Sequence, residues 1–311
     1  MARVMIGLAL FQGAEHIAAQ LASIARQTHT DWRLVASDDG SKDDGPRMLR
    51  EFAAARPKGQ VELVEGPRKG ATANFLSLLD RAEPTEFVAF ADQDDVWNED
   101  KLERAFACLS ANNAAGLYCA RTTICDEQLN PLVASRHFKG PFNFNNALIQ
   151  ALTAGNTLLL PPDTVALLRR SAPAAISAGI ESHDWWIYQM VSGAGLGIFR
   201  DEQEVLLYRQ HGDNLKGRND TFRAMATRLA QLFSGDYASW LHANVTALLA
   251  AEHELTPDNR AALHRFAKAL YLPGPRMAIA MRRLGVRRQT AAGNTAFYAA
   301  ALAGRLRRRA G

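Results

Sequence analysis

Short runs of consecutive apolar residues alternate with longer segments of mixed polarity up to residue 120 of the chain. Uninterrupted apolar runs are typical of strands that are covered on both faces. Four runs are predicted to be strands: Val4–Leu10, Trp32–Ser37, Val61–Val64 and Phe87–Ala91. The segments between them have apolar residues at helical spacing and are predicted to be helices: 15–27, 48–55 and 73–81. This alternation predicts an α/β domain built on a parallel sheet with right-handed crossovers.

The pattern is less regular beyond this point and becomes helical towards the C-terminus. Further strands are predicted at Leu117–Ile124, 158–160, Ile198 and Val205–Tyr208. Helices are predicted at Ser182–Val191, Thr221–Phe233, Tyr237–Glu254 and Asp258–Tyr271, before Pro273 and Pro275 interrupt the pattern. We therefore predict three parts, which are an α/β domain over 1–215, a helical region over 216–275 and a basic amphipathic tail over 276–311.

Two acidic clusters follow predicted strands of this sheet. Asp38 and Asp39 end the second strand, and the sequence Asp92-Gln93-Asp94-Asp95 ends the fourth. Both are expected at the carboxyl edge of the sheet, where α/β proteins bind ligands. Mg²⁺ and Mn²⁺ prefer carboxylate and phosphate oxygens, so the second cluster is interpreted as a metal site that bridges to a nucleotide diphosphate. The alternatives are a solvated, helix-capping turn for the second cluster and an ordinary Asp-Gly turn for the first.

Asp184 and His211 are two further candidates for chemistry. Asp184 lies among His183, Trp185 and Trp186, and a carboxylate that indoles desolvate becomes more basic, as a general base requires. The alternative is a charge that stabilises the start of a helix. His211 follows a predicted strand and is either a metal ligand or a structural residue.

The composition limits the class of protein. The chain has 311 residues, of which 48% are hydrophobic and 22% charged, and this excludes disordered, collagen-like and disulfide-scaffold proteins. Three cysteines without a CxxC pair predict reduced thiols in a cytosolic protein. No continuous apolar stretch reaches about eighteen residues, so no membrane span is predicted. The run Val4–Phe11 is interpreted as a buried strand rather than a signal peptide.

The charges are distributed unevenly. The 36 Lys and Arg residues and 32 Asp and Glu residues give a net charge of +4, but no acidic residue follows Asp258. Basic residues interleaved with apolar ones over 276–311 predict an amphipathic segment that binds an anionic membrane surface. The alternatives are a solvated basic helix face and a nucleic-acid-binding tail.

Taken together, five blocks in order resemble the inverting family-2 glycosyltransferases, and most closely their bacterial rhamnosyltransferase-like branch. The resemblance covers about residues 1–215. The matching blocks are the stretch from Phe11 to Thr28, Ser37-Asp38-Asp39-Gly40-Ser41, Ala91-Asp92-Gln93-Asp94-Asp95-Val96-Trp97, His183-Asp184-Trp185-Trp186 and Tyr208-Arg209-Gln210-His211. It implies the GT-A fold, a Rossmann-like and mostly parallel sheet with helices on both faces, followed by a helical region. One departure is Phe11-Gln12, where the family usually has Tyr-Asn.

The resemblance also implies a role for each matched residue. Asp184 is expected to be the general base, with Trp185 and Trp186 on the acceptor side. The expected metal ligands are Asp94, Asp92 and His211. The residues expected to contact the nucleotide sugar are Ala9, Phe11, Asp38, Asp39, Lys69, Asn74, Asp92 and Gln93.

The implied activity is transfer of a sugar, with inversion and with Mg²⁺ or Mn²⁺, from dTDP-rhamnose or a UDP-sugar to a lipid-linked or saccharide acceptor in bacterial surface polysaccharide synthesis. The enzyme is expected in the cytoplasm, peripherally on the inner face of the plasma membrane, with no nucleic-acid partner. A rival interpretation is a haloacid-dehalogenase-type phosphatase, in which Asp92 is the nucleophile at the end of an apolar strand. That fold usually opens with this motif, whereas three strand–helix units precede it here.

Overall fold

The computed structural model describes residues 2–112, 115–210 and 234–307. The chain forms two compact units that alternate along the sequence. The sheet unit comprises Met1–His137, Thr153–Ala172 and Gly197–Lys216, and the helical unit comprises Phe138–Leu152, Pro173–Leu196 and Gly217–Gly311. The predicted division was linear, with boundaries at residues 215 and 275. The compact units differ from it because two segments before residue 215 pack with the C-terminal helices, for example where Asn259 Nδ2 donates to the Gly193 carbonyl at 2.9 Å.

The sheet unit contains a nine-stranded mixed sheet. The strands are β1 Val4–Leu10, β2 Trp32–Asp38, β3 Val61–Glu65, β4 Phe87–Ala91, β5 Val96–Trp97, β6 Ala115–Cys125, β7 Pro131–Ala134, β8 Leu159–Leu160 and β9 Gly197–Arg209. Their spatial order is β3-β2-β1-β4-β8-β6-β9-β5, and β7 pairs with β6. Most paired residues are in parallel ladders, among β1 to β4 and between β6 and β9. The predicted α/β class is confirmed.

Eleven helices are present in the described ranges. They are α1 Ile17–Ala25, α2 Gly45–Ala54, α3 Ala71–Leu78, α4 Lys101–Ala111, α5 Phe144–Ala147, α6 Pro162–Ala178, α7 His183–Gly193, α8 Asp236–Ala250, α9 Pro257–Ala269, α10 Gly274–Leu284 and α11 Ala291–Leu302. Three short 3₁₀ turns occur at Leu79–Arg81, Gly155–Thr157 and Glu252–Glu254. The predicted helix at 221–233 lies outside the described residues.

Helices cover both faces of the parallel strands. On one face, alternate residues of β1 such as Ile6 and Leu8 share a core with Leu21 of α1 and Leu102 of α4. On the other face, a side chain at Gly7 would come within 3.3 Å of Leu78, at the end of α3. Burial on both faces explains why β1 is an uninterrupted apolar run, because every side chain along it needs an apolar neighbour.

The predicted basic tail forms two packed helices, α10 and α11, in the helical unit. Met277, Met281, Phe297 and Leu306 are fully buried there. Much of the apolar side of the amphipathic pattern is therefore occupied by protein, while Arg276, Arg282 and Arg283 are exposed. None of the helices in the described parts of the chain is long and apolar enough to cross a membrane.

Candidate functional site

The strand registers bring the two acidic clusters to one edge of the sheet unit. Leu10 of β1 lies opposite Asp38 of β2, and Leu8 of β1 lies opposite Ala91 of β4. The chain leaves both neighbouring strands beside the end of β1, with Asp39 directly after β2 and Asp92 directly after β4. The predicted juxtaposition of the two clusters is thus present, at the edge where α/β sheets bind ligands.

Gln93 joins the loop after β4 to the loop after β1. Its Oε1 accepts from the Phe11 N–H at 2.8 Å, and its Nε2 donates to the Phe11 carbonyl at 2.9 Å. A Cβ atom on the neighbouring Gly13 would lie 2.4 Å from Oε1, so a larger residue there would displace the Gln93 amide. Both hydrogen-bonding groups of the Gln93 amide are therefore used on the main chain. The Phe11 ring is 57% exposed at this edge.

The loops after β1 and β2 are also tied to each other. The Gln12 N–H donates to Ser41 Oγ at 3.0 Å, and the Gln12 side-chain oxygen accepts from the Lys42 N–H at 2.7 Å. Asp43 Oδ2 accepts from the Ala14 N–H at 2.7 Å. These bonds hold Gln12 in the left-handed region, with φ of 52°. Gln12, which differs from the usual family residue, therefore has a structural role, because it joins the loops after β1 and β2.

Asp39 orders the loop that follows β3. Its Oδ1 accepts from the Arg68 N–H at 2.6 Å and its Oδ2 from the Gly70 N–H at 2.8 Å. The exposed side chain of Arg68 lies over Gly40, within 3.6 Å of where a Cβ atom would be. Arg68 is a residue that the motif comparison missed, although the basic pair with Lys69 was a signal for it. Its guanidinium is a cation at the rim of the site.

Asn74 and Asp38 form further hydrogen bonds to the main chain near the end of β2. Asn74 is buried, and its Nδ2 donates to the Ser37 carbonyl at 2.9 Å. A Cβ atom on Gly66 would lie 2.8 Å from Asn74 Oδ1, so the chain passes too close for any other residue. Asp38 Oδ1 accepts from the Ser41 N–H at 2.9 Å. Asn74 therefore supports the end of β2 and the chain at Gly66 from the buried side, while Lys69 is exposed.

The cluster after β4 has one buried carboxyl and two half-buried ones. Asp95 is fully buried, and its Oδ2 accepts from Asn156 Nδ2 at 2.5 Å. Burial, followed by the nearby charges of Asp92 and Asp94, raises the pKa of Asp95 well above its usual range. Asp92 and Asp94 are half-buried and so able to present oxygens to a ligand. Asn156 is a second residue that sequence analysis missed, because nothing in the sequence links it to a position 61 residues away.

Arg209 fixes the main chain of this cluster. Its side chain is buried, and its Nε donates to the Asp94 carbonyl at 3.0 Å while an Nη atom donates to the Glu127 carbonyl. Arg209 ends β9 opposite Cys125 of β6, which places the guanidinium between the two loops. The predicted metal ligand His211, two residues later, lies outside the described residues.

Lys101 is buried under the same loop. Its Nζ lies 3.5 Å from the centroid of the Trp97 ring, and the residue is 2% exposed. Burial lowers the pKa of Lys101 to about 7, an effect that the negative charge of Asp95 opposes. The ammonium is thus close to losing its charge at neutral pH. The free energy of unfolding is therefore expected to depend on pH through this group.

The oxygen donors fit a hard divalent ion. Asp92 and Asp94 bring two like charges close enough to perturb Asp95, and a cation would relieve that repulsion. Two carboxylates are the typical protein share of a Mg²⁺ site in which phosphates and water supply the rest. No group of three or more His, Cys, Asp or Glu side chains is arranged as a metal site within the ranges that the structure describes.

Asp184 lies in the helical unit, in the first turn of α7. Its Oδ1 accepts from the Trp185 N–H at 2.7 Å and from the hydroxyl of Ser182, the residue that caps the helix. Trp185 Nε1 donates to the Ala147 carbonyl at 2.6 Å, and both Trp185 and Trp186 are buried. In this structure the two indoles therefore support the helix that carries Asp184 and do not expose a ring face to an acceptor.

Comparisons with known proteins agree with this architecture. The family model described as Glycosyl transferase family 2 matches residues 6–174. The chain is 28% identical over 228 residues to the dTDP-rhamnosyl transferase RfbG of Shigella flexneri, covering 71% of this chain and 78% of the relative. It is 35% identical over 106 residues to the UDP-Glc:alpha-D-GlcNAc-diphosphoundecaprenol beta-1,3-glucosyltransferase WfgD of Escherichia coli, covering 34% of this chain and 40% of the relative.

Solved structures give the fold. TarS 1-349 of S. aureus, in complex with UDP-GlcNAc, has a TM-score of 0.52 at 14% identity and covers 96% of this chain and 90% of its own. The mannosyltransferase PcManGT from Pyrobaculum calidifontis, in complex with GDP-Man and Mn²⁺, has a TM-score of 0.53 at 18% identity, with 97% and 86% covered. The fold is therefore the GT-A fold that the sequence motifs implied.

Proposed function

The chain belongs to glycosyl transferase family 2, and we propose that it transfers rhamnose from dTDP-rhamnose to a hydroxyl group of a saccharide or lipid-linked acceptor in surface polysaccharide synthesis. The observation that carries this proposal is the meeting of two acidic strand ends at one sheet edge. The similarity to RfbG favours rhamnose over other sugars. The family match over residues 6–174 removes the basis for the phosphatase alternative.

Asp92 and Asp94 would hold Mg²⁺ or Mn²⁺, with His211 as a further ligand. A divalent ion bound there would neutralise the charge that develops on the leaving nucleoside diphosphate. Gln93 contributes indirectly, since its amide holds the loop of the two aspartates against Phe11. Arg209 does the same from the other side through the Asp94 carbonyl.

The nucleoside is proposed to bind beside Ala9, Phe11 and Asp39. The exposed Phe11 ring offers a surface on which a base can stack. Asp39 is half-buried and already accepts two main-chain N–H groups, so it positions the loop that carries Arg68 and Lys69. These two cations suit the charge of a nucleotide diphosphate.

Asp184 is the proposed general base. Ser182 and the Trp185 N–H both contact Oδ1, and they orient the carboxylate. A carboxylate in this role removes the proton of the acceptor hydroxyl as that oxygen attacks the anomeric carbon, typically worth 10²–10⁴-fold in rate. Attack from the face opposite the leaving group gives inversion in one displacement, without a covalent enzyme intermediate.

The helical unit is proposed to work against the anionic inner surface of the plasma membrane. No acidic residue follows Asp258, while Tyr271, Ile279 and Leu302 expose more than half of their surface. Exposed apolar groups among basic ones suit lipid headgroups better than nucleic acid. Salt-sensitive pelleting with phosphatidylglycerol vesicles, weakened by Arg282→Gln/Arg283→Gln at two exposed positions of α10, would support this, and equal binding to DNA would contradict it.

A donor screen followed by a turnover assay tests the proposed function. The full chain is mixed with dTDP-rhamnose, UDP-sugars or GDP-sugars, with and without Mn²⁺, and its thermal midpoint is measured. We expect the largest rise with dTDP-rhamnose and Mn²⁺, and NMR of the product should show an inverted anomeric centre. Asp184→Asn should abolish transfer and keep donor binding. Retention of configuration, or wild-type turnover by this variant, would refute the mechanism.

A further inference from the structure

A cavity of about 200 Å³ is lined by described residues of the helical unit. The segment between α10 and α11 forms most of its lining, including Arg287, Arg288, Gln289 and Thr290, with Asn294 from α11. None of the described residues that line it is acidic. The cavity is therefore small, polar and positively charged along its described lining, which includes none of the residues given a role above.

The two arginines that line it have no anionic partner among the described residues. Within the described ranges, neither the Arg287 nor the Arg288 guanidinium forms an ion pair or a hydrogen bond. Arg33 and Arg104, by contrast, each bind a carboxylate through two nitrogens. Arg288 lies 5.7 Å from the centroid of the Tyr237 ring, which limits where its side chain points. Two arginines that are adjacent in sequence and both line one cavity form a surface that attracts an anion.

The wall that carries these arginines is held in place by main-chain hydrogen bonds. The Arg287 carbonyl accepts from Asn146 Nδ2 at 2.7 Å, and the Arg288 N–H donates to Asn294 Oδ1 at 2.8 Å. The Gln289 N–H donates to the side-chain oxygen of Gln150 at 2.9 Å. A preformed site loses less entropy on binding than a flexible one.

We propose that this cavity binds a phosphate or diphosphate group. Guanidinium groups match phosphate oxygens in geometry and charge, and the absence of a competing carboxylate in the lining leaves them available. This site rests on the proposed function in one respect, because the phosphate or diphosphate that it binds is assigned to the acceptor side of the reaction. It has two possible sources, which are the diphosphate of a lipid-linked acceptor and the headgroup of an anionic phospholipid.

The test compares two pairs of basic residues. Arg287→Gln/Arg288→Gln removes the cavity pair, and Arg50→Gln/Lys58→Gln removes the same charge from exposed positions of the sheet unit. Binding of inorganic pyrophosphate to the full chain is measured by calorimetry in EDTA, so that the metal-dependent donor site does not contribute. We expect the cavity variant to lose at least about tenfold in affinity, equivalent to about 1.4 kcal/mol, and the control variant to stay within about twofold.

Flotation with phosphatidylglycerol vesicles separates the two sources. Loss of pyrophosphate binding in the cavity variant alone identifies a free diphosphate as a ligand, and loss of flotation in that variant alone identifies the lipid headgroup. Equal losses in both variants, or none in either measurement, would overturn the proposal. Arg287→Lys/Arg288→Lys, which keeps the charge, guards against misfolding and should bind with intermediate affinity. Because no donor is present, sugar transfer can fail while this site is upheld.

Discussion

The side-chain amide of Gln93 forms two hydrogen bonds with the main chain of Phe11, as a second strand would. The two distances are 2.8 Å and 2.9 Å, and the residues lie 82 positions apart. In the sequence Gln93 is the middle residue between two aspartates. In the structure it holds those aspartates beside the end of β1. The residue between the two aspartates of the motif therefore has a structural role of its own.

Gln93→Ala should therefore weaken donor binding more than catalysis. Without the amide, the loop after β4 loses both bonds to Phe11, each worth about 0.5–1.5 kcal/mol. We expect the KM for the donor to rise about tenfold, with a smaller change in kcat. Gln203→Ala, on the exposed part of β9, is the matched control and should leave both constants unchanged. An unaltered KM in Gln93→Ala would show that the two hydrogen bonds between Gln93 and Phe11 are not needed for donor binding.

Asp39→Asn tests the loop after β3. An amide offers only one acceptor oxygen, so either the Arg68 N–H or the Gly70 N–H would face an NH₂ group. Loss of one charge-assisted bond costs about 1.5–3 kcal/mol, and we expect the affinity for dTDP to fall at least about tenfold. Calorimetry with dTDP and Mn²⁺ measures it. Asp44→Asn removes an exposed carboxylate whose one ion pair among the described residues is with Arg47, and it serves as the control. Equal affinities for the two variants would argue against the role of Asp39.

Arg209→Lys tests the support behind Asp94. A lysine cannot reach the carbonyls of Asp94 and Glu127 together, so the loop loses one of two anchors. We expect the free energy of unfolding to fall by about 1–3 kcal/mol, and the Mn²⁺ concentration for half-maximal activity to rise. The control is Arg121→Lys, because Arg121 Nε also donates to a main-chain carbonyl, that of Ser135 at 2.8 Å. The control should lose stability without any change in the Mn²⁺ concentration for half-maximal activity. A similar rise of that concentration in both variants would show that Arg209 affects only the stability of the fold.

Lys101 makes folding stability depend on pH. Its pKa is about 7 in the folded chain and near 10.5 in the unfolded chain, so above pH 7 the unfolded state holds the extra proton. The free energy of unfolding should therefore rise with pH between 7 and 9, by up to about 1.4 kcal/mol per pH unit from this group. Urea titrations at several pH values measure the slope. Lys101→Met should remove this component, and identical slopes for the variant and wild type would contradict the assignment.

The sequence predicted β1 and β4 to the residue because both are apolar runs, which begin directly after Arg3 and Glu86. β9 was predicted as two pieces, since charged residues over 200–204 interrupt its apolar pattern. In the structure it is continuous, because Asp201 is buried and paired with Arg104 through two hydrogen bonds at 2.6 and 2.9 Å. Helix α6 and the two-residue strand β5 were not predicted, as neither has a clear periodic pattern.

The site was predictable as far as its parts follow strands. Asp39 and Asp92 meet at one edge because parallel strands end together, which the alternating pattern already implied. The supporting residues were not predictable in the same way. Asn156 and Arg209 reach the acidic loop from segments distant in sequence, and only the pairing of β6 with β8 and β9 brings them there. The burial of Trp185 and Trp186 was likewise hidden, because an aromatic pair beside an aspartate suits a core and a binding surface equally.

Calorimetric titration of nucleoside diphosphates into the full chain tests the central claim most directly. The claim is that Asp92 and Asp94 hold a divalent ion against the diphosphate of the donor. We expect dTDP to bind in Mn²⁺ and to lose at least about a hundredfold in affinity, about 2.7 kcal/mol, either in EDTA or in Asp94→Asn. Asp100→Asn, an exposed aspartate six residues further along, should bind as wild type does. Failure of dTDP, UDP and GDP to bind in Mn²⁺, or full binding by Asp94→Asn, would contradict the account.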